Sequence, residues 1–122
     1  MGTTSTFCAA LLHTCDVVSA ARFYGEVFGW QLQDGARLSF ALRGERVAGI
    51  RRTDEDDNLW VPYVAVDDVA ASADAAVNAG GTITATRIDP EDANRRAVIA
   101  DPEGAVIGLC APDDGQTIAL TE

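Results

Sequence analysis

The chain contains no lysine. All nine basic residues are arginine, set against nineteen Asp and Glu, and the net charge is −10. So acidic a surface offers no electrostatic footprint for nucleic acid or an anionic membrane, and neither is expected as a partner. No apolar run approaches the roughly 20 residues that span a bilayer. The opening stretch MGTTSTFCAALLHTCD has no basic segment, so a secretory leader is not expected. Cysteine is also scarce. Cys8, Cys15 and Cys110 make no metal-binding or redox motif. In a strand over residues 7–15, Cys8 and Cys15 would point to opposite faces, too far apart to bridge. Reduced thiols in a cytoplasmic protein are therefore expected. No Ser/His/Asp array, phosphate-binding loop or paired-carboxylate arrangement can be discerned, and His13 is the only histidine.

At 122 residues the chain is expected to fold as one domain, 1–122, with a core of its own. Within it one pattern is written twice. Asp16 and Asp67 are good helix N-caps, and each follows a strand-like apolar run, FCAALLHTC in the first case and LWVPYVAV in the second. After Asp16, Val17, Ala20, Ala21, Tyr24, Val27 and Phe28 fall on one helical face, and Gly29 supplies a stop. The aromatics Phe23, Tyr24, Phe28 and Trp30 have the spacing of a packing face. After Asp67, Val69, Ala70, Ala73, Ala76 and Val77 repeat the stripe, ending at Gly80-Gly81. Strand signals follow each helix, separated by turns at Asp34-Gly35, Arg43-Gly44-Glu45 and Asp101-Pro102-Glu103-Gly104. The chain thus reads as two βαβββ modules, 6–52 and 59–112, joined by the polar TDEDDN segment. The DPEDANRR segment, Asp89 to Arg96, reads as a loop. The fold class expected is α+β, with paired βαβββ modules forming a curled mixed sheet that makes a cup.

DVVSAARFYGEVFGW in the first module, with VPYVAVDDVAASADAAVNAGG and RRAVIADPEGAVIGL in the second, resembles the vicinal oxygen chelate superfamily. This is the glyoxalase/bleomycin-resistance/dioxygenase group, and the likeness runs from about Phe7 to Pro112. The resemblance implies paired βαβββ modules, commonly assembled as a homodimer. Metal-dependent members place four ligands, His, Gln or Glu, facing into the cup. Two stand on the first strands, seven residues before the helix-capping Asp, and two on the last strands. Counting back from Asp16 and Asp67 gives Ala9 and Trp60, and aligning VAGI with VIGL gives Gly49 and Gly108. None of these side chains coordinates a cation, so no metal and no other cofactor is expected.

Strand alternation then selects the other cup-facing residues. Phe7, Leu11 and His13 join Ala9, and Pro62 and Val64 join Trp60. Arg51 flanks Gly49, and Cys110 flanks Gly108. Trp60 either lines this cavity or plugs it, and the glycines mark either a ligand's approach or a strand bend. An apolar cup with a few polar points suits a small molecule. The function expected is metal-free binding of a small, aromatic natural product, of a resistance or sequestration type. The alternative is a metal-independent enzyme of secondary metabolism acting on a phenolic or carbonyl substrate. In that case His13 is the acid/base, since imidazole ordinarily titrates near neutrality. A third possibility is an interaction module whose cup is filled by its own side chains.

Overall fold

The structure, a computed structural model, describes residues 5–35, 38–53, 58–85 and 96–111. Of the loop expected over 89–96, only Arg96 is among them. Of the acidic join, only Thr53 and Asn58 are. The chain is α+β. In order it forms β1 (Phe7–Thr14), α1 (Val17–Phe28), β2 (Gln31–Asp34), β3 (Leu38–Leu42) and β4 (Glu45–Arg52). These are followed by β5 (Leu59–Ala65), α2 (Val69–Asn78), β6 (Thr82–Ala85), β7 (Arg96–Ala100) and β8 (Val106–Cys110). Two compact units divide the chain, with boundaries that fall inside β1 and β5. Ala9–Val61 makes up one. The described residues from Pro62 to 111 make up the other, together with residues 5–8.

In the first module the strands lie in the order β2-β3-β4-β1. β2, β3 and β4 are antiparallel neighbours, whereas β4 pairs with β1 in parallel. A parallel pair needs a crossover, and α1 with its following strands provides it. Asp16 starts the helix, its carboxylate accepting from Ser19 N at 3.0 Å. Gly29 stops it at φ +77, donating to Gly25 O, a left-handed turn that a side chain would resist. Between β3 and β4, Arg43 and Gly44 both have positive φ, the signature of a two-residue type I′ hairpin turn. The side of the sheet that meets α1 is built from Leu12, Phe40, Ala48 and Ile50, with Val17 from the helix. Phe40 is wholly buried there, and Tyr24 and Trp30 pack against the same cluster. Phe23, Val27 and Phe28 do not follow the expected stripe. Each is more than half exposed, because Tyr24 and the small Ala20 and Ala21 suffice to cover this narrow sheet.

The second module repeats the order as β6-β7-β8-β5, with β8 and β5 parallel. Its helix packs Val69 and Ala73 on Ala97 and Leu109. The cap is Asp68, whose carboxylate accepts from Ala71 N at 3.0 Å, and not Asp67 as the sequence suggested. The Asp67-Asp68 doublet offers two candidate caps, and only the second places Val69 and Ala73 on the sheet. The hairpin between β7 and β8 is held by Asp101, which accepts from Glu103 N and Ala105 N at 2.9 Å each. The two candidate caps separate experimentally. Asp68→Ala is expected to lower stability by about 1 kcal/mol, the usual cost of a lost cap, and Asp67→Ala by under about 0.5 kcal/mol. Urea midpoints of the two variants check this.

Candidate functional site

On β1 of the first module, Ala9, Leu11 and His13 share the face directed away from α1, as strand alternation requires. Gly49 stands opposite Leu11 and Arg51 opposite His13 across the parallel pair, while Ser39 of β3 stands opposite Gly49. All of these are buried except Arg51, which is half-buried; its neighbour Arg52 is exposed. The first-module candidates Ala9, Leu11, His13, Gly49 and Arg51 therefore lie together on one face.

The second-module set does not. Trp60 packs against the α1 cluster of Leu12, Phe40, Ala48 and Ile50. Val64 pairs with Leu109, which belongs to the α2 cluster, and Val66 packs on that cluster too. Trp60, Val64 and, by alternation, the exposed Pro62 thus occupy the helix-facing side of β5. The cause is the cap. Counting seven residues back from Asp68 rather than Asp67 gives Val61, and a one-residue slip turns every side chain of a strand over. Val61, Tyr63 and Ala65, each about 1% exposed, take the opposite face. Phe7, which begins its strand, is 61% exposed.

Gly108 was a second place where space for a ligand was expected, and Tyr63 fills it. The two residues are register partners, and a Cβ built on Gly108 would lie 2.5 Å from the Cδ2 and Cε2 atoms of the tyrosine ring. The glycine is there to admit an aromatic side chain of the same chain. Cys110, two residues on, is buried with its sulfur 2.9 Å from that of Cys8. Arg96 is the buried register partner of Cys110 on β7. Nothing in the spacing of Cys8 and Cys110 signalled this pairing, because 102 residues separate them.

A cavity that the sequence did not single out lies on the outer side of β1, within the unit Ala9–Val61. It occupies about 490 Å³ between the first turns of α1 and the start of β5. Phe23, Tyr24, Leu59 and Trp60 form its apolar wall, and Thr14, Asp16, Ser19 and Asn58 its polar end. Trp60 is fixed there by its indole N–H, which donates to the Tyr24 hydroxyl at 2.9 Å. Tyr24 is also the hub of ring contacts to Phe23, Phe28, Trp30, Phe40 and Trp60, with centroids 5.0 to 6.1 Å away. At the polar end, Asn58 Oδ1 accepts from Cys15 N at 3.0 Å and Thr14 Oγ1 from Asp16 N at 3.1 Å. The part of Trp60 left uncovered therefore faces this groove.

Paired βαβββ modules with these strand orders define the vicinal oxygen chelate class. The family model for the Glyoxalase-like domain matches residues 9–110, and the chain belongs to that family. Relatives named "Putative glyoxylase CFP32" in Mycobacterium bovis and Mycobacterium tuberculosis are each 38% identical over 110 residues, which is 80% of this chain. The chain spans 42% of the length of these curated relatives. Among solved structures, the Mn(II)-bound glyoxalase from Novosphingobium aromaticivorans superposes with a TM-score of 0.54 at 18% identity. It covers all of this chain, which in turn spans 43% of that protein.

A manganese ion like the one bound in that glyoxalase does not fit the residues present here. The four positions at which family members carry ligands hold Ala9, Val61, Gly49 and Gly108, none with a donor atom in its side chain. Among the described residues, no three His, Cys, Asp or Glu side chains converge anywhere. The Tyr63 ring occupies the space beside Gly108. Gly108→Ala is accordingly expected to force that ring aside and cost about 1–3 kcal/mol, the usual penalty of overpacking. A lowered urea midpoint with retained far-UV circular dichroism is the expected reading.

Proposed function

We propose that this chain is a metal-independent, binding member of the glyoxalase-like family that takes up a small aromatic molecule in the groove beside α1. The observation that carries this reading is the groove itself. Its volume of about 490 Å³ lies within the range of small-molecule sites, which run to roughly 300–1,000 Å³. One wall is an aromatic surface already locked in place by the Trp60–Tyr24 hydrogen bond, so stacking costs little further ordering. The opposite end offers the Asp16 carboxylate, the Ser19 hydroxyl and Asn58 to a phenol or amine carried by the ligand. Such a module serves sequestration, as in resistance to an aromatic natural product. The donor-free family positions support the metal-independent part of the reading.

The test is a fluorescence titration of the Trp30→Phe variant, in which Trp60 is the only indole, with hydroxylated naphthoquinones and anthraquinones. Binding at micromolar levels, unchanged by a chelator, is expected. Phe23→Ala trims an exposed wall residue without disturbing the core, and it is expected to weaken binding by about 3- to 10-fold. Absence of binding by every chemotype up to about 100 µM, or binding only after a divalent metal is added, sinks the proposal.

A second reading, a metal-independent enzyme acting on a phenolic or carbonyl substrate, is favoured by one observation. His13 and Arg51 stand opposite each other on the inner face of the first module, placing a proton-transfer group beside an anion-binding one. The name of the mycobacterial relatives points to chemistry as well. Here His13→Ala is expected to lower turnover of a methylglyoxal–thiol adduct or an ortho-quinone at least about 100-fold, the scale of general acid–base catalysis. Equal turnover by variant and wild type removes His13 from the reaction.

A further inference from the structure

We infer that Cys8 and Cys110 form an oxidisable dithiol, a modification site that closes into a disulfide when the protein meets a peroxide. The two sulfurs are 2.9 Å apart, within about an ångström of the bonded length of roughly 2.05 Å. Both cysteines are buried, and they approach each other from two sides of one strand. Residues 5–8 run beside β5, where Ser5 N donates to Ala65 O and Ala65 N to Thr6 O. β8 pairs with β5 on its other side, with Ala65 opposite Cys110. Cys8 Sγ also lies 3.6 Å from Tyr63 O. Ala65 keeps only a methyl group between the two flanking strands, so the thiols reach each other across it. Arg96, buried and opposite Cys110 on the same face of the sheet, adds a guanidinium on that side. The thiolate is the nucleophile in thiol oxidation.

The chemistry balances with hydrogen peroxide as oxidant. The Cys8 thiolate attacks one peroxide oxygen, the O–O bond breaks, and the departing hydroxide leaves as water, giving a sulfenic acid. Cys110 sulfur then attacks the Cys8 sulfur, the S–O bond breaks, and a second water departs as the S–S bond forms. Two thiols lose two electrons and two protons, and one peroxide becomes two waters. A neighbouring second thiol is what diverts the sulfenic acid to a disulfide before it reaches the irreversible acids. The crosslink would clasp β5 between β1 and β8. It would close most of the chain into one loop, the case in which a crosslink restricts the unfolded ensemble most.

The experiment uses Cys15→Ser, which removes only the exposed thiol. The purified protein is treated with a small excess of hydrogen peroxide, denatured, alkylated and weighed intact. The expected result is a species about 2 Da lighter than the reduced protein, carrying no alkyl groups and restored to two alkylatable thiols by dithiothreitol. The oxidised form is expected to melt at least about 5 °C higher than the reduced form. Cys110→Ala in the same background is expected to stop at sulfenic acid or beyond; should that variant fail to fold, the Cys15→Ser mass result stands on its own. Recovery of two alkylated thiols after treatment overturns the inference, and so does accumulation of sulfinic acid on both cysteines without a crosslink.

Discussion

Two aspartates decide which side of each strand meets its helix. Asp16 and Asp68 each hold the backbone N–H three residues on, and that hydrogen bond sets where the first helical turn begins. From there the parity of the preceding strand follows, because successive side chains alternate across a sheet. In the first module this directs Leu12 toward α1 and leaves Ala9, Leu11 and His13 on the far face. In the second it directs Val64 and Val66 toward α2 and leaves Tyr63 and Ala65 opposite. Every residue assignment at the candidate sites rests on those two helix starts.

The two helices then diverge in what they do. α2 is a light brace, with Val69 and Ala73 as its buried contacts. α1 carries the aromatic residues, and Tyr24 organises them. Its ring meets five others, while its hydroxyl receives the Trp60 indole N–H. Because that polar link is satisfied within the wall, Trp60 presents an ordered apolar plane to the groove, and hydrogen bonding is left to Asp16, Ser19 and Asn58. The groove is thereby divided into a flat apolar half and a polar half, both drawn from the unit Ala9–Val61.

Much of this was legible in the residues. Apolar spacing, the Asp16 cap and the glycine at position 29 located α1, and the Gly, Asp and Pro turns located the hairpins. The family followed from FYGEVFGW and DPEGAVIGL together. The parity of β5 was not legible, because Asp67 and Asp68 are equal as caps on paper and only packing of Val69 and Ala73 chooses between them. That single residue moved Trp60 from an inner face to the α1 side. The groove was not legible either, since Thr14, Ser19 and Asn58 carry no motif and come together only through tertiary structure. The adjacency of Cys8 and Cys110 likewise depends on strand order, which spacing along the chain does not encode. With the cap at Asp68, the count of seven residues moves from Trp60 to Val61.

The contact between Tyr63 and Gly108 bears on the history open to this chain. A residue with a donor atom at position 108 would have to push the tyrosine ring aside, since its first carbon would meet that ring. A smaller residue at position 63 would make room, but removing so buried a ring would itself leave a cavity. A larger side chain at position 108 would therefore be reached through a less stable intermediate whichever change came first. The ring thus ties positions 63 and 108 together, so that either can change without cost only if the other changes with it.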